Sequence, residues 1–495
     1  MGYIKNFEQF LFYFLFFAIP LQTRKILYSP GWYYNEWQSI SIYATDLILL
    51  ILLIFWAVDK RLRKSFIHRY DYFLLGFLAA AAVSVKNSSD FYVGAFLWLK
   101  LAEFALLYFY LKTYAIRPVR GKTPAEGGSS ADHALQAGRT SNGIDFVKAL
   151  YVLLLGGAFQ AIIAIGQFLK QGDLGLRWLG ESVLGPHMTG IASFLVPSRV
   201  EGFVNSGLPA EALAKAGEKV IRAYGTTPHP NILAAYLLLS IFAFYFLYIY
   251  QTTDRGSSHK FYDTMIYHKI LKYWRAVVYL ILLFGLFFTF SRIIIFLWAA
   301  GFFARAVLIG VKTGFKEKFW RNPVIKTKLV QIVTVTVLAV VIFSVFYWPE
   351  VQSRLSVSSE EEAVRLRVFY NKESLGGGVN LFGIGLGDFT GWLMEQNPNL
   401  PSYVYQPVHN IYLLVYSEIG IIGFVLFLLF LIGLLCEFIK KTRLRELKHH
   451  SFLLIAVSVL FIGLFDHFLF TLQQGRFIFW LVLTLLAVGD IIKEQ

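Results

Sequence analysis

Long stretches of apolar residues, separated by short polar segments, recur along the whole chain. Many are about twenty residues long, the length that an α-helix needs to cross the hydrocarbon core of a bilayer. A segment in lipid must satisfy its backbone hydrogen bonds internally, so these stretches predict helices. Two are short, 8–21 and 276–290, so counts of eleven or thirteen stay open. The twelve predicted spans are 8–21, 41–58, 72–87, 93–114, 146–169, 229–251, 276–290, 293–311, 329–348, 409–436, 451–472 and 476–492.

Basic residues are concentrated in alternate connecting segments. Segments 59–70, 115–145, 252–275, 312–328 and 437–450 carry five, four, five, six and five Lys and Arg residues. Excess positive charge marks the cytoplasmic side of membrane proteins. The alternation predicts cytoplasmic N- and C-termini and two long loops outside, about 170–228 and 349–408. Long loops often carry function.

The composition agrees with a membrane protein. Hydrophobic residues occupy 57% of the 495 positions and charged residues only 16%, more apolar surface than a soluble protein of this length could bury. The predicted fold class is an all-α polytopic membrane protein with about 12 transmembrane helices and short helices in two long extracytoplasmic loops. The net charge of +15 is explained by topology and by contact with anionic membrane lipids. Because it is split among five short segments, it does not favour a nucleic-acid partner.

Residues 117–143 are rich in small and polar residues, which predicts a flexible cytoplasmic linker. We therefore divide the chain into residues 1–145, which hold the N-terminal helices and this linker, and residues 146–495. The N-terminus shows no cleavable signal, so the first apolar run predicts a retained helix.

Short helices are expected in both outer loops. Pro209 opens a stretch rich in Ala, Glu and Lys that runs to Val220, which predicts a helix on the membrane surface. In the second loop Ser358 and Glu361 form the pattern of a capping box. That helix would carry Arg365, Arg367 and Phe369, and the spacing of four places the first and last of these on one face.

Three glycines alternate in the second loop, at Gly383, Gly385 and Gly387. They allow the backbone to fold tightly and bring its N–H groups close to a neighbour. The pattern lacks the strand and helix that flank a dinucleotide site, so we exclude that interpretation.

His409 stands where the second outer loop meets the apolar run 409–436. A histidine at a membrane–water boundary can accept a proton without the full cost of burial in hydrocarbon. Capping or packing at a helix start is the structural alternative, and both interpretations stay open. Glu418, about two turns further along, could pair with an arginine or pack against polar groups. Asp466 and His467 predict a hydrogen-bonded structural pair.

Two arginines, Arg222 and Arg292, fall at the same predicted outer boundary. Either could extend to the lipid headgroups. Arg292 lies in an otherwise uncharged stretch, residues 276–304, long enough for two tight crossings that turn at Ser291–Arg292, and an arginine in such a place is a functional candidate. No metal-ligand pattern occurs, so a diphosphate would rely on arginines, whose planar fork matches pairs of phosphate oxygens.

Four stretches resemble motifs of the O-antigen ligase / polysaccharide polymerase superfamily of bacterial membrane glycosyltransferases (the Wzy type). The likeness covers about residues 150–490, and in one place Asn380–Leu381 replaces a proline that usually precedes Gly383. The four stretches are Arg222-Ala-Tyr-Gly-Thr-Thr-Pro-His-Pro-Asn231, Phe290-Ser291-Arg292, Arg365-Leu-Arg-Val-Phe with Phe382-Gly-Ile-Gly-Leu-Gly-Asp-Phe389, and Val408-His409-Asn410-Ile-Tyr412 with Glu418-Ile-Gly420-Ile-Ile-Gly423.

The resemblance implies a transferase that moves a saccharide from an undecaprenyl-diphosphate carrier to an acceptor hydroxyl on the outer face of the plasma membrane. It implies inversion at the sugar, no metal and no other cofactor. His409 would be the general base, and Arg222 and Arg292 would hold the diphosphate with help from Arg365. The implied supporting residues are Asn231, Ser291, Arg367, Asn410, Tyr412 and Glu418. This account requires the imidazole and the arginines to share one outward-facing pocket.

The acceptor is not indicated by the sequence. It could be a lipid, a second glycan or a protein, which leaves ligase, polymerase and protein O-oligosaccharyltransferase open. A flippase or other transporter of lipid-linked saccharides is the rival from another class. Such a transporter needs polar residues along a path open to both sides, whereas here the candidate residues cluster at the outer boundary.

Overall fold

A computed structural model describes residues 2–30, 35–58, 67–115, 145–196, 218–253, 265–312, 323–355, 362–376, 380–442 and 447–489. Helices dominate these ranges. They are α1 (Gly2–Ala18), α2 (Ala44–Val58), α3 (Arg69–Ser84), α4 (Phe91–Ala115), α5 (Phe146–Lys170), α6 (Pro230–Thr253), α7 (Met265–Phe288), α8 (Arg292–Lys312), α9 (Pro323–Phe346), α10 (Trp348–Leu355), α11 (Glu362–Gly376), α12 (Phe389–Gln396), α13 (Ile411–Thr442), α14 (Leu447–Ile462), α15 (Phe468–Thr471) and α16 (Gln473–Val488).

Each predicted span overlaps one of the longer helices, so the helical character of all twelve is confirmed. Five described helices are long and apolar enough to cross a bilayer: Phe91–Thr113, Phe146–Lys170, Pro230–Tyr248, Lys326–Phe346 and Ile411–Thr442. Four more are apolar but shorter: Ala44–Val58, Tyr273–Phe288, His449–Ile462 and Gln473–Val488. The protein is thus mostly helical with several candidate membrane spans, while twelve crossings stay a prediction.

Three predicted boundaries need correction. The predicted span 41–58 begins in a strand, Ile40–Tyr43, and helix α2 begins only at Ala44. The short run 276–290 belongs to a helix of 24 residues, α7, because the polar residues before it continue the helix. The predicted span 451–472 is interrupted: α14 ends at Ile462, and a turn through Gly463 and Asp466 separates it from α15. Hydropathy alone passed over this turn, since the residues around it are apolar.

The fold also contains four short strands, β1 (Arg24–Tyr28), β2 (Ile40–Tyr43), β3 (Ser193–Val196) and β4 (Glu218–Ile221), paired as β1–β2 and β3–β4. The antiparallel β3–β4 register places Ser193 opposite Ile221 and Val196 opposite Glu218. The expected surface helix is therefore wrong at residues 218–220, because pairing with β3 overrides the helix propensity of this stretch. Residues 209–217 of that helix, the linker 117–143 and the cap at Ser358 lie outside the described residues.

The chain divides into two compact units. Unit 1 comprises Met1–Phe16, Lys25–Val152 and Tyr370–Gln495, and unit 2 comprises Phe17–Arg24 and Leu153–Phe369. The predicted division after residue 145 stays a prediction.

Within unit 1, α13 packs along α3 and α16 packs on α4. Phe77 of α3 meets Phe427 of α13 with ring centroids 5.1 Å apart, and Phe104 of α4 meets Phe477 of α16 at 4.8 Å. A buried ion pair joins Lys112 to Asp71 between α4 and α3. Aromatic packing and one paired charge thus hold these four helices together.

Within unit 2, α6 is the most buried helix, and α7, α8 and α9 pack around it or on one another. The hydroxyl of Tyr279 lies 2.7 Å from that of Tyr245 and 2.8 Å from that of Thr336, so the polar groups in this core are bonded to each other. α7 and α8 are joined by a tight turn over residues 289–291, which confirms the predicted turn at Ser291–Arg292.

Candidate functional site

The loop that carries Arg222 is fastened to α5 by two buried glutamines. The Gln167 side-chain oxygen accepts hydrogen bonds from the backbone N–H groups of Tyr224 (3.0 Å) and Gly225 (2.8 Å), and its nitrogen donates to the Gly225 carbonyl (2.8 Å). Two helical turns earlier in α5, the Gln160 side-chain oxygen accepts a hydrogen bond from the backbone N–H of Thr226 (2.9 Å). The Gln160 side-chain nitrogen donates to the Thr226 hydroxyl (2.8 Å). The irregular backbone after β4 is therefore held by a rigid helix.

Gly225 and Tyr224 each have a structural role in this loop. Gly225 has a positive φ of 60°, and a Cβ there would lie 2.5 Å from the Gln160 side-chain oxygen, so only glycine fits. The hydroxyl of Tyr224 accepts a hydrogen bond from the N–H of Ala192 at 2.6 Å, and burial raises the pKa of this tyrosine.

The Arg222 side chain is fixed in unit 2. It is 9% exposed; its Nε donates to the Thr289 carbonyl at 2.6 Å and one terminal nitrogen donates to Oδ1 of Asn231 at 2.7 Å. The same Asn231 oxygen accepts a hydrogen bond from the Ser291 hydroxyl at 3.1 Å. Two motifs that are about 60 residues apart in the sequence thus meet at one amide oxygen.

Arg292 follows Ser291 directly and is the first residue of α8, where it is half-buried. Its helix N-terminus carries partial positive charge and unsatisfied backbone N–H groups, an arrangement that favours anions. The residue two positions earlier, Phe290, has a φ of 45°, which is strained for a non-glycine residue. The Phe290 ring packs at a tilt against the rings of Phe168 and Phe194, with centroids 5.6 and 4.9 Å apart, and these contacts help to offset the strain.

Arg365 and Arg367 both lie on α11, as predicted. Arg365 is exposed and Arg367 is half-buried. Their spacing of two puts them on different sides of the helix. The roles expected of these two arginines stay predictions.

His409 lies in unit 1 between two rings. Its imidazole stacks on the Tyr370 ring with an interplanar angle of 9° and a centroid separation of 5.4 Å, and it meets the His467 ring edge-on at 4.9 Å. Tyr370 is fully buried, and its hydroxyl donates to the Val404 carbonyl at 2.6 Å. The His409 ring is half-buried and held in one orientation by these neighbours.

The capping role at the start of α13 belongs to Asn410. Its Oδ1 accepts the backbone N–H groups of Tyr412 (2.9 Å) and Leu413 (3.2 Å), which is the bonding of a helix N-cap. The hydroxyl of Tyr412 donates to the Leu460 carbonyl of α14 at 2.8 Å. Of the structural alternatives for His409, capping is therefore wrong, whereas ring packing does occur.

The glycine-rich loop and the break in α13 fit each other closely. Gly383, Gly385 and Gly387 all have positive φ, and Gly420 of α13 has φ 81° and ψ −177°, which breaks the helix. A Cβ on Gly420 would lie 2.4 Å from the Gly383 nitrogen, and one on Gly383 would lie 2.3 Å from the Glu418 carbonyl oxygen. Both positions require glycine because two backbones touch there.

Backbone hydrogen bonds in both directions stabilise this contact between the loop and α13. The N–H groups of Ile384 and Gly385 donate to the carbonyls of Ser417 (2.9 Å) and Glu418 (3.1 Å), and the N–H of Ile421 donates to the Asn380 carbonyl (3.0 Å). The N–H of Phe389 points to the Glu418 carboxylate at 3.4 Å. The predicted approach of loop N–H groups to a neighbour is confirmed, and that neighbour is α13.

Asn380, in the place where a proline usually precedes Gly383, fixes the turn of the loop. Its side-chain oxygen accepts the N–H of Phe382 at 3.1 Å and its nitrogen donates to the Gly383 carbonyl at 3.0 Å, so the turn is fixed by hydrogen bonds. A second anchor is Asp388, which accepts hydrogen bonds from the Ser89 N–H (3.1 Å) and hydroxyl (2.5 Å). Burial nonetheless raises the pKa of Asp388, against the lowering effect of these bonds.

Asp466 and His467 each bond to the turn that follows them. The Asp466 Oδ1 accepts the N–H of Phe468 at 3.5 Å, and Nδ1 of His467 lies 2.7 Å from the Thr471 hydroxyl. Among the described residues, no group of three or more His, Cys, Asp or Glu side chains is arranged to hold a metal ion.

The structure therefore brings Arg222, Asn231 and Ser291 together in unit 2, and surrounds His409 with rings in unit 1. The expectation that His409 shares a pocket with the arginines stays a prediction. Sequence reasoning missed Gln160 and Gln167, whose spacing of seven in an otherwise apolar run was a signal for one polar helix face. It also missed Tyr370, for which no sequence signal exists.

The apolar helices and the motif-bearing loops define a multi-pass membrane protein. Residues 277–428 match the family model described as O-Antigen ligase, which confirms the predicted relationship to the O-antigen ligase / polysaccharide polymerase superfamily. The matched domain is that of a family of membrane enzymes, and it includes Ser291, Arg292, Arg365, His409 and Glu418 but not the Arg222 loop. No match was found among the curated proteins.

Proposed function

We propose that the protein is a bacterial plasma-membrane glycosyltransferase. It moves a saccharide from an undecaprenyl-diphosphate carrier to an acceptor hydroxyl on the outer face of the membrane, with inversion at the sugar and without a metal ion. The acceptor is a lipid, a glycan or a protein. The match of residues 277–428 to the O-Antigen ligase model supports the enzyme class, and the geometry around Arg222 supports the chemistry.

The contact at Asn231 is the observation that carries the proposal. The Arg222 guanidinium is held by Asn231 and the Thr289 carbonyl, and the same amide oxygen holds the Ser291 hydroxyl next to Arg292. A cation that is fixed before substrate binds needs no reorganisation during the reaction, so it stabilises developing charge more strongly than a mobile one. This is the property that a diphosphate-binding arginine requires.

In the proposed reaction the acceptor oxygen attacks the anomeric carbon while His409 takes the hydroxyl proton. The bond from that carbon to the diphosphate oxygen breaks, and undecaprenyl diphosphate leaves with the bonding electrons. One displacement gives inversion. Charge builds on the leaving oxygen, where Arg222 and Arg292 would stabilise it more in the transition state than in the ground state.

The remaining residues support these groups. Arg365, exposed on α11, is proposed to contact donor or acceptor, and Arg367, on another side of the same helix, is proposed to support it. Asn410 caps the helix that follows His409, and the Tyr412 hydroxyl ties that helix to α14, so both fix the position of the base. The Glu418 carboxylate faces the N–H of Phe389 and stabilises the docked glycine-rich loop.

The proposal is tested by transfer from an undecaprenyl-diphosphate glycan to a panel of acceptors, using purified full-length protein. His409→Ala should lower kcat by about 10²- to 10⁴-fold, the usual contribution of a general base. His187→Ala, at an exposed histidine of the first outer loop, is the control and should keep normal activity. Normal transfer by His409→Ala would contradict the base, and donor movement across vesicles without a glycoside product would indicate a flippase.

The same assay tests the arginines. Arg292→Lys should lower kcat at least about tenfold, because a point charge replaces a fork whose charged hydrogen bonds are worth roughly 1.5–3 kcal/mol each. Arg177→Lys, at an exposed arginine, should be unchanged. Equal activities of the two variants would rule out a specific role for Arg292. Loss of wild-type activity in chelator would overturn the metal-free mechanism.

A further inference from the structure

Unit 1 contains a cavity of about 50 Å³, lined by both apolar and polar side chains, that the proposed chemistry does not use. Its walls come from the segment before α2, from α4, from the loop before α12 and from the start of α16. That volume holds one or two hydroxyl-sized groups, so it fits the edge of a ligand and not a whole sugar ring. The lining residues used below are Trp37, Ser41, Lys100, Thr390, Gln473 and Arg476.

Four buried polar atoms belong to side chains that line this cavity. They are Nε1 of Trp37, the hydroxyls of Ser41 and Thr390, and Oε1 of Gln473, and none of them has a hydrogen-bond partner within the described part of the chain. Ser41, Thr390 and Gln473 are 4%, 2% and 2% exposed. An unsatisfied buried polar atom costs about 1–3 kcal/mol, so four around one cavity favour an occupant that forms hydrogen bonds with them.

The chemistry of these atoms selects the ligand. Trp37 offers a donor, Gln473 an acceptor, and the two hydroxyls can do either. Such a mixed set matches hydroxyl groups, which also donate and accept.

The charges around the cavity disfavour an anion. Two acidic side chains, Glu36 and Glu418, line it together with two basic ones, Lys100 and Arg476. Lys100 is already paired with Asp46 and with Glu103, the latter at 3.1 Å. The charge of Lys100 is therefore compensated, unlike that expected of a cation in a diphosphate site.

The cavity is connected to His409 through Pro407 and His467. Pro407, two residues earlier in the chain, lines it. Trp37 also meets the His467 ring edge-on at 5.7 Å, and His467 in turn contacts the His409 ring at 4.9 Å. A ligand whose hydroxyls occupy the cavity would therefore extend toward the proposed base.

We propose that this cavity is a saccharide subsite that binds hydroxyl groups of the acceptor sugar next to the one that His409 deprotonates. The inference rests on the proposed function for its assignment to the acceptor. The donor would bind through its diphosphate, for which this cavity lacks an excess of positive charge. The acceptor is accordingly a carbohydrate, either free-standing or carried on a lipid.

The test removes two orphaned hydroxyls without changing side-chain shape much, in the double variant Ser41→Ala with Thr390→Val. Thr484→Val is the matched control, because its buried hydroxyl already donates to the Trp480 carbonyl at 2.8 Å and lies outside the cavity. Thr390→Val alone replaces the double variant if that protein fails to fold, as judged by thermal unfolding in detergent.

Binding is measured by saturation-transfer NMR on full-length protein with the methyl glycosides of glucose, galactose and N-acetylglucosamine as probes. At least one glycoside should bind wild type and the control, and its affinity for the double variant should fall about tenfold, as expected for two lost hydrogen bonds. Absence of binding to wild type, or equal affinities for the double variant and the control, would overturn the subsite.

A kinetic measurement assigns the bound sugar. The double variant should raise KM for the acceptor about tenfold and leave KM for the undecaprenyl-diphosphate donor unchanged. A rise in the donor KM alone would contradict the acceptor assignment. If wild type transferred sugar to no acceptor, the proposed function would fall, while glycoside binding would still test whether the cavity takes saccharides.

Discussion

Arg222 is positioned both through its side chain and through the backbone that follows it. The residues that hold the backbone do not belong to the sequence motifs. Its guanidinium is bonded to Asn231 and to the Thr289 carbonyl, while the backbone after it is bonded to Gln160 and Gln167 of α5. A side chain can be fixed only as firmly as the backbone that carries it. Under the proposed function the glutamines would therefore be positioning residues, which act on the donor through Arg222 and not by contact.

Replacing Gln167 tests this indirect role. Gln167→Leu leaves the buried N–H groups of Tyr224 and Gly225 without their acceptor, which should lower the free energy of unfolding by about 2–5 kcal/mol. If the loop moves, KM for the donor should rise more than KM for the acceptor in the folded protein.

Thermal unfolding and steady-state kinetics are the two measurements, with Gln396→Leu, an exposed residue at the end of α12, as control. A variant that is less stable but keeps both KM values would show that Gln167 has a purely structural role.

At this scale the sequence singled out candidate residues for the chemistry, but it did not predict which residues those candidates contact. Arginine, serine and histidine motifs stand out because such residues are rare in apolar surroundings. Tyr370, which stacks on His409, comes from a different helix 39 positions earlier, and no local pattern marks a ring for stacking on another element. Asn410 was expected to position the site, and its capping geometry explains how.

Among the elements, α13 depends on a break. A helix that ran straight through residue 420 would have no room for the loop 380–389, whose backbone touches it at Gly383. The break frees backbone groups near Glu418 and Ile421, and the loop satisfies them. The glycines of the loop and Gly420 of α13 thus act together. Because neither side has a Cβ at the contact, the two backbones can approach each other closely.

Gly420→Ala should therefore destabilise the protein by at least about 3 kcal/mol, because it adds a strained φ of 81° to a contact of 2.4 Å with the Gly383 nitrogen. Gly376→Ala is the matched control, since a Cβ at that helical glycine meets nothing within 4 Å. Its effect should be within about 1 kcal/mol and stabilising if anything. Similar unfolding temperatures for the two variants in detergent would show that the close contact does not form.

Helices were predictable from hydropathy because a membrane allows few alternatives to a helix. The strand pair β3–β4 was not predictable in the same way. Residues 218–221 follow an Ala- and Glu-rich stretch, and the strand exists because β3 pairs with it 25 positions away in register. Secondary-structure propensity depends on the local sequence, so it does not account for pairing with a distant strand.

On the scale of the whole molecule, the orientation in the membrane rests on charge alone. The basic segments predict that the loop 349–408 is outside and that the C-terminal end of α13 is inside. The part of α13 after the break at Gly420, residues 421–442, has 22 residues and is about 33 Å long at 1.5 Å per residue, enough for the roughly 30 Å of a hydrocarbon core. Its ends therefore lie on opposite sides if it crosses.

Single cysteines at the two ends of α13 test the predicted orientation. The background is Cys436→Ser, which removes the one native thiol, and the exposed positions Ser402 and Lys440 are changed to cysteine one at a time. A membrane-impermeant maleimide should label Ser402→Cys in intact cells and Lys440→Cys only after permeabilisation. The reverse pattern would place His409 on the cytoplasmic side, where a carrier-linked glycan already exported could not reach it, and labelling of both in intact cells would mean that α13 does not cross.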